Sequence, residues 1–390
     1  MQHPADDKDS EWITTHFEYH SMEENLLKLD MLGHDDPTMI RMLEDMTGVD
    51  AQKIPLDDKD TMSIFISSKI LGFEDDPILG PVGTCAIPEF GTSFTRGMLL
   101  ETQPTKFDTL IRLSGFSHGT DVWLGNARDL ILSKTASVND AIGCRDDIML
   151  YLIDMGMEPK RAFKFMEAVR KGAIHKGKPW PDGIVEEMQQ LGVPEWWIES
   201  CRKIQYLFPK AHAVAYVTMA FRIAWFKVHE PLAYYSAYFY RRSQKDGFDA
   251  ESMLQGIDKC LAKINAIRRN PNATAKEEDL LTTLEAVYEF YRRGFTFAPI
   301  DIYKSDSYKF LIEDGCLRPP FVAISGLGGS AAEDLKRAQD SGAKFVSIDD
   351  ISDACPKVST AHLDMLRKLG ALGDLPETRQ VSLFDAFGEM

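Results

Sequence analysis

The fold is decided by the segment FPKAHAVAYVTMAFRIAWFKVHEP, residues 208–231. Its apolar residues continue through several turns without a glycine or proline, which predicts a long buried helix over Ala213–His229. Glu230-Pro231 ends the helix because proline cannot continue one. Before the helix, Phe208–His212 has the pattern of an extended basic turn. A helix this apolar belongs in the core of a helical body.

The flanking sequence is also mainly helical, with only short strand signals. Asp36-Pro37 predicts one helix start. A second helix is predicted over Lys160–Lys171, with Phe163, Met166 and Val169 at helical spacing on its apolar face. Further helices are predicted at Leu232–Arg242, Glu277–Arg293, Ala331–Ser341 and Ser359–Leu369. Strand-like pieces are predicted at Phe295–Phe297, Tyr308–Ile312 and Phe321–Ile324. The sequence therefore predicts a mainly α fold with minor β, an α+β chain of several domains.

The charge is unevenly distributed along the chain. The net charge is −16, yet residues 1–60 hold 16 acidic and 5 basic side chains, whereas residues 155–245 hold 15 basic and 8 acidic ones. Two differently solvated surfaces would give this asymmetry. An acidic cation site beside a phosphate-binding surface would give it too.

The cysteines and the hydropathy of the chain indicate the cellular compartment. The six cysteines are scattered without a Cys-x-x-Cys pair, which suits reduced cytosolic thiols and not a disulfide scaffold or a structural zinc site. No apolar run approaches the roughly 20 residues that a membrane span needs. The expectation is a cytoplasmic protein without a membrane partner.

A glycine-rich stretch towards the C-terminal end has the form of a helix-hairpin-helix. It has the sequence ISGLGGSAA over residues 324–332. The glycines allow a tight turn, and backbone amides at the next helix start can hold a phosphate. The candidate DNA-binding residues are Gly326, Gly328, Gly329, Lys336 and Arg337. The pattern predicts sequence-independent contact with duplex DNA; the alternative is a plain glycine-rich helix start.

Three side chains near the start of the long helix form a candidate phosphate site. Lys210 and His212 lie in the basic turn, and Tyr216 lies one turn into the helix, within reach of a sugar or base. On the residues alone, a helix cap with an exposed lysine and a core tyrosine explains the pattern better. Arg145 precedes Asp146-Asp147 and similarly indicates a helix N-terminal turn with local ion pairs.

The other polar residues give weaker evidence for a functional site. The stretch Ser114–Trp123 is predicted to be a polar loop that lines a site, with His118 in a structural role. The spacing of His16, His20 and His34 fits no familiar zinc site.

The run LLKLDMLGHDD, residues 26–36, carries a single carboxylate, Asp30, on an apolar strand-like segment. Buried carboxylates are unfavourable unless they are paired or bound to a metal, so Asp30 requires a partner or a metal ion.

An apolar peptide interrupts the polar C-terminal tail. It consists of Gln380, Val381, Ser382, Leu383 and Phe384. Apolar side chains and a glutamine on a flexible strand are typical of a peptide that docks in a hydrophobic pocket. The alternative is a tail that folds back on its own domain.

Taken in order, these segments resemble the C-terminal part of the alpha subunit of bacterial DNA polymerase III of the PolC type. The resemblance runs through His16–His20, Leu26–Asp36, Ile87–Thr92, Ser117–Ala127, Gly143–Leu152, Lys203–Pro231, Ala323–Ala332 and Gln380–Phe384. It implies the end of the palm at 1–34, the fingers at 35–240, a duplex-binding region with the helix-hairpin-helix at 241–375, and a flexible clamp-binding tail at 376–390.

The resemblance implies a DNA-directed DNA polymerase, which is a nucleotidyltransferase. Asp30 matches one of three palm aspartates that bind two Mg²⁺ ions in this family, and the other two are expected upstream of this chain. The chain alone would then be inactive. Arg145, Lys210, His212 and Tyr216 become candidates for contacts with the incoming dNTP.

The implied partners follow from the same resemblance. The hairpin would contact primer–template DNA, Gln380–Phe384 would bind the sliding clamp, and other replisome subunits would assemble with the intact enzyme.

Two other classes of protein account for part of the sequence. A non-enzymatic DNA-binding and clamp-binding adaptor explains the hairpin and the tail, but not residues 26–36 or the basic turn at Lys210. A metal-dependent nuclease or phosphatase needs more carboxylate and histidine ligands than the acidic head supplies.

Overall fold

The computed structural model describes residues 3–4, 6–15, 17–18, 21–22, 25–26, 34–244 and 247–378. The chain divides into two units, Met1–Asp35 and Asp36–Met390. The described stretches of the first unit contain short-range turns, as where Ser21 Oγ donates to Glu18 O over 2.6 Å. The predicted domain boundaries at 34, 240 and 375 stay predictions.

The described residues from 35 to 203 form nine α-helices. These are α1 (Asp35–Thr47), α2 (Lys59–Ser63), α3 (Ser93–Thr102), α4 (Phe107–His118), α5 (Arg128–Leu132), α6 (Arg145–Asp154), α7 (Pro159–Arg170), α8 (Ile184–Gln190) and α9 (Glu195–Lys203). Helix α7 begins as predicted, because the Glu158 carboxylate accepts from the first free amides and proline occupies the first turn. Its inner face differs from the prediction: Phe163 is 50% exposed, while Phe165 is buried beside Met166 and Val169.

Five helices follow in the next part of the chain. They are α10 (Lys210–His229), α11 (Pro231–Ser243), α12 (Ala250–Met253), α13 (Ile257–Arg269) and α14 (Ala275–Arg292). Helix α10 packs against α2, α4 and α11. Its buried residues lie on several sides, as expected for a helix that is apolar all round.

The last described part contains a hairpin of two short strands and three helices. They are β1 (Leu311–Glu313), β2 (Cys316–Arg318), α15 (Gly329–Asp340), α16 (Ile348–Ala354) and α17 (Thr360–Lys368). The strands pair antiparallel, with Ile312 opposite Leu317.

The strand predictions were correct in part. Tyr308–Ile312 overlaps β1, and Phe297 contributes only an isolated bridge to Leu317. The prediction at Phe321–Ile324 was wrong, since Phe321–Ala323 forms a 3-10 helix. The reason is the preceding Pro319-Pro320, which cannot donate to a strand ladder.

Two hydrophobic cores hold the helices of the second unit together. The larger core extends from Met39 to Ala323, and the smaller one, between Ala250 and Leu372, lies around α15, α16 and α17. The described residues thus form a mainly α fold with one two-stranded sheet, which confirms the predicted fold class.

A buried ion pair lies in the larger core. Lys227 Nζ on α10 lies 2.7 Å from Glu289 Oε1 on α14, and both side chains are fully buried. The ammonium also donates to Gly83 O and Cys85 O over 2.9 and 2.6 Å. Tyr235 on α11 donates its hydroxyl to the same carboxylate oxygen over 2.6 Å. Burial lowers the pKa of Lys227, and the nearby Glu289 carboxylate opposes that shift.

We expect the substitution Lys227→Met to lower the free energy of unfolding by about 3–5 kcal/mol, because it leaves the Glu289 carboxylate buried without its cation. Urea denaturation followed by tryptophan fluorescence measures the loss. The double variant K227M/E289L should lose less than the sum of the two single changes, since it leaves no unpaired charge. Strict additivity would contradict the coupling.

Candidate functional site

The starts of α6 and α10 are tied to each other by reciprocal hydrogen bonds. Arg145 N donates to Phe208 O over 3.1 Å, and Lys210 N donates to Asp146 Oδ2 over 2.7 Å. The tie brings into one region the four residues predicted to contact a nucleotide: Arg145, Lys210, His212 and Tyr216.

The structure corrects the local conformation of two of these residues. Lys210 and His212 lie in the first turn of α10, and the extended turn predicted for them ends at Pro209. Proline at the cap offers no side-chain acceptor, so the sequence nearby gives no capping signal. The cap comes instead from Asp146, which is distant in sequence and lies on α6.

Five rings form an aromatic cluster beside this tie. Phe208 lies 5.4 Å from Tyr206 and 5.0 Å from His212, measured between ring centroids, and His212 lies 4.4 Å from Tyr216. His118 approaches both Phe208 and His212, at 5.5 and 5.9 Å. His212 and Tyr216 are half-buried, so this cluster forms part of the surface at the start of α10.

His118 is fixed by contacts at both ring nitrogens. Its Nδ1 lies 2.8 Å from Ser114 O, and its Nε2 lies 3.1 Å from Glu89 Oε2. The stretch predicted as a loop from Ser114 onwards is helical as far as His118, which ends α4. Glu89 was not among the predicted site residues; the sequence marked it only as part of the stretch Ile87–Thr92, one of those that carry the resemblance.

A cavity of about 340 Å³ opens between α4, α6 and α10. Its lining includes Asp108, Arg112, Asn139 and Lys210. The cavity combines charged, amide and apolar groups, so it suits a polar ligand better than an apolar one.

Asp147 organises the amino end of α6. Its Oδ2 accepts from Gly143 N and Cys144 N over 2.9 and 3.1 Å and lies 3.1 Å from Arg112 Nη1. The ion pair predicted locally within residues 145–147 is therefore made with a distant arginine. Burial raises the pKa of the Cys144 thiol to about 12, so this cysteine stays a neutral thiol and is a poor nucleophile.

Two cations at the tie are available to an anionic ligand. Among the described residues, neither the Arg145 guanidinium nor the Lys210 ammonium has an ion-pair partner. Lys210 is exposed and Arg145 is half-buried. Basic side chains favour phosphate because their hydrogen bonds to its oxygens are charge-assisted. The amides of Lys210 and Cys144 at the two helix starts already donate to Asp146 and Asp147.

Two glycines allow α4 and the segment before α6 to pack closely through their backbones. A Cβ at Gly115 would lie 2.4 Å from Gly143 O, and one at Gly143 would lie 3.1 Å from Arg112 Cγ. Only glycine allows this backbone approach, which places Arg145 next to α4.

The predicted hairpin has the geometry that its glycines imply. It connects the 3-10 helix Phe321–Ala323 to α15, and Gly326 has a φ of +83°, in the region that favours glycine. A Cβ at Gly329 would lie 2.5 Å from the Tyr308 hydroxyl. Gly328 caps α15 without a side chain, so the backbone can approach a ligand closely.

The two basic residues predicted to assist the hairpin have acidic neighbours. Lys336 Nζ lies 2.6 Å from Asp340 Oδ1 and donates to Gln339 Oε1 over the same distance. Arg337 pairs with Asp334, although its own side chain is 65% exposed. Both cations are partly neutralised, which the sequence pattern did not indicate.

Other predicted residues lie outside the part of the chain that the structure describes. They are His16, His20, Asp30 and Gln380–Phe384. Within the described ranges, no three His, Cys, Asp or Glu side chains form a group that could hold a metal ion. Within the same ranges, no helix has the length and apolarity needed to cross a bilayer.

Comparison with known proteins assigns two regions of the chain. Residues 36–192 match the bacterial DNA polymerase III alpha subunit finger domain, and residues 294–382 match a helix-hairpin-helix motif. The second match covers the hairpin that precedes α15. Together the two regions define a chain of the bacterial DNA polymerase III alpha subunit class.

Relatives that align with almost the whole of this chain identify one type within this class of DNA polymerase. The chain is 52% identical over 385 residues to the PolC-type DNA polymerase III of Caldanaerobacter subterraneus, covering 98% of this chain and 27% of the relative. It is 50% identical over 389 residues to that of Streptococcus pneumoniae serotype 2 and 49% identical over 391 residues to that of Streptococcus mutans, in each case covering 99% of this chain and 26% of the relative. The chain thus spans about a quarter of the length of the curated relatives it matches. It belongs to the PolC-type DNA polymerase III family and represents a C-terminal portion, which confirms the resemblance seen in the sequence.

We expect Gly115→Ala to lower the free energy of unfolding by about 1–3 kcal/mol, because the new methyl group must displace the Gly143 backbone. The matched control is Gly97→Ala, which adds the same group to α3 in open space and should be neutral or stabilising. Thermal unfolding of the two variants compares them directly. Equal stability would contradict the close contact.

Proposed function

We propose that this chain supplies the nucleotide-binding fingers and the duplex-binding region of a replicative DNA polymerase. The observation that supports the proposal is the tie between α6 and α10. It sets two cations, Arg145 and Lys210, beside the rings of His212 and Tyr216. Cations next to aromatic rings match the two chemically different parts of a dNTP: the triphosphate, and the sugar with its base.

Each group has a distinct role in this proposal. The Arg145 guanidinium and the Lys210 ammonium bind oxygens of the triphosphate through charge-assisted hydrogen bonds. His212 and Tyr216 contact the sugar or base, to which aromatic rings offer an apolar face. The nearby cavity between α4, α6 and α10 provides room for the polar ligand.

The hairpin is proposed to bind the primer–template duplex. Gly326 and Gly328 let the backbone approach a phosphate group, Gly329 makes room for the Tyr308 hydroxyl, and the amino end of α15 adds its dipole. Lys336 and Arg337 on the same helix add charge, which their acidic neighbours reduce. This type of contact is independent of base sequence.

Two further parts of the proposal rest on the sequence and its family. Gln380–Phe384 would bind the sliding clamp as an extended peptide. Asp30 would supply one ligand of a two-Mg²⁺ site shared with palm residues outside this chain. The ions would activate the primer hydroxyl and stabilise the leaving pyrophosphate in the intact polymerase. A cytoplasmic setting among other replisome subunits completes the proposal.

Titration of the chain with dATP in the presence of Mg²⁺ tests the nucleotide site. We expect Arg145→Ala and Lys210→Ala each to weaken binding about tenfold, the loss of one charge-assisted contact. Lys69→Ala removes an exposed lysine that pairs with Glu74 and should leave the affinity unchanged. Calorimetry reports all three affinities.

The alternative function has a clear signature in the same experiments. If the chain bound duplex DNA but bound dATP no more tightly than the Arg145→Ala variant does, a non-catalytic DNA-binding adaptor would be the better description.

Fluorescence anisotropy with a labelled duplex tests the hairpin. We expect the variant K336A/R337A to bind several-fold more weakly, and the slope of log affinity against log salt to become shallower by about 1–2. Lys276→Ala, which removes an exposed lysine at the start of α14, is the matched control. Unchanged affinity and slope in the double variant would place the duplex elsewhere.

A further inference from the structure

We infer that Glu89 and His118 form a positioning pair that holds the ring surface of the nucleotide site. The inference rests on the proposed function and adds two residues to it, neither of which touches the nucleotide in our assignment. The carboxylate orients His118, and His118 supports Phe208 and His212.

The loop that carries Glu89 is anchored firmly at its beginning. Lys227 donates to Gly83 O and Cys85 O, and the Tyr234 hydroxyl donates to Ala86 O over 2.8 Å. These donors are buried, so they hold the loop without competition from water.

The end of the same loop is equally constrained. Thr84 Oγ1 donates to Phe90 O over 2.8 Å, and a Cβ at Gly91 would lie 2.8 Å from Ile87 O. The loop therefore presents Glu89 from a fixed backbone.

Glu89 itself has an unfavourable backbone conformation. Its φ is +67°, a region in which glycine is the ordinary residue. A non-glycine residue persists there only when the surrounding structure holds it, and such residues concentrate at functional sites. The side chain is 11% exposed, and its carboxylate approaches His118 Nε2 and Ser114 Oγ. The chain therefore maintains a carboxylate where glycine would fit the backbone better.

The contacts of His118 define its role. The Ser114 carbonyl oxygen and the Ser117 hydroxyl lie 2.8 and 3.1 Å from Nδ1, and a Glu89 carboxylate oxygen lies 3.1 Å from Nε2. With both nitrogens engaged, the ring cannot rotate without losing a hydrogen bond. Its edge then forms a fixed support for the other rings.

Ring contacts connect His118 to the residues that are proposed to face the nucleotide. His118 meets Phe208 and His212 edge-on, with interplanar angles of 72° and 68°. His212 in turn lies tilted against Tyr216. Loss of the Glu89 contact would leave His118 held only at Nδ1 and loosen the contacts among these rings, while the hydrogen bonds that place Arg145 and Lys210 would remain.

Loss of the contact between Glu89 and His118 should therefore weaken the binding of a nucleotide but not the binding of a phosphate chain alone. The triphosphate is assigned to Arg145 and Lys210, and the sugar and base are assigned to the rings. We expect Glu89→Ala to weaken the binding of dATP with Mg²⁺ about tenfold, while the affinity for inorganic tripolyphosphate with Mg²⁺ stays within about twofold. Glu89→Gln keeps an oxygen acceptor for Nε2 and should recover most of the dATP affinity.

A double-mutant cycle adds a second readout. E89A/H118A should bind dATP no more weakly than His118→Ala alone, because the carboxylate acts through the histidine. Glu101→Ala removes the carboxylate of an exposed ion pair with Arg128 and is the matched control, expected to change neither affinity. Circular dichroism of every variant verifies the fold, and His118→Ala, which removes the same contact from the other side, keeps the test valid if Glu89→Ala unfolds.

Three results would overturn the inference, and they differ in meaning. An equal loss for dATP and tripolyphosphate in a folded Glu89→Ala chain would show a general effect of charge or fold. Unchanged dATP binding in Glu89→Ala would show that the pair positions nothing. Failure of the unsubstituted chain to bind dATP would overturn the proposed function itself, and this inference with it.

Discussion

The buried contact between Lys227 and Glu289 is the interaction on which the arrangement of the second unit depends. One ammonium and one carboxylate, both removed from water, join α10 to α14, and Tyr235 adds α11 through the same carboxylate. Desolvation of two charges is unfavourable, and hydrogen bonds offset part of it: they engage Lys227 Nζ and Glu289 Oε1, while Glu289 Oε2 is buried without a partner. Lys227 uses two of its donors on backbone carbonyls of the loop at Gly83 and Cys85, which makes the loop part of the core.

The two ends of helix α10 consequently lie in different environments, one in the core and one at the surface. Its carboxyl half is fixed in the core by Lys227, and its amino end carries Lys210 at the surface, tied to α6 by Asp146. The loop fixed by the first end presents Glu89 to His118, whose ring meets His212 near the second end. The core and the candidate site are therefore connected twice, once along the helix and once through the loop.

Local signals in the sequence predicted much of the fold. Glu158 and the proline after it determine the start of α7, and the apolar run before Glu230-Pro231 determines most of α10. These elements are encoded by neighbouring residues, and that is why periodicity and capping rules found them. The family resemblance also rested on contiguous motifs, and the comparisons bear it out.

Most of the features that the sequence analysis missed depend on residues that are far apart in sequence. The true start of α10 depends on Asp146, and the partner of Asp147 is Arg112, both far away in sequence. Glu89 became a candidate only when folding brought it to His118. A single sequence contains no pattern that links such residues, because their pairing is a property of the tertiary structure. The 3-10 helix after Pro320 is the converse case, in which a local proline effect outweighed an apolar strand-like pattern.

The glycine contact between α4 and the segment before α6 has a mechanical consequence. Most packed helices meet through side chains, which can change rotamer and absorb small displacements. Gly115 and Gly143 meet through backbone alone, and backbone has no rotamers with which to yield. A shift of α4 is therefore transmitted to the amino end of α6 almost undiminished. A rearrangement that moves α4 would therefore carry the backbone of Arg145 with it.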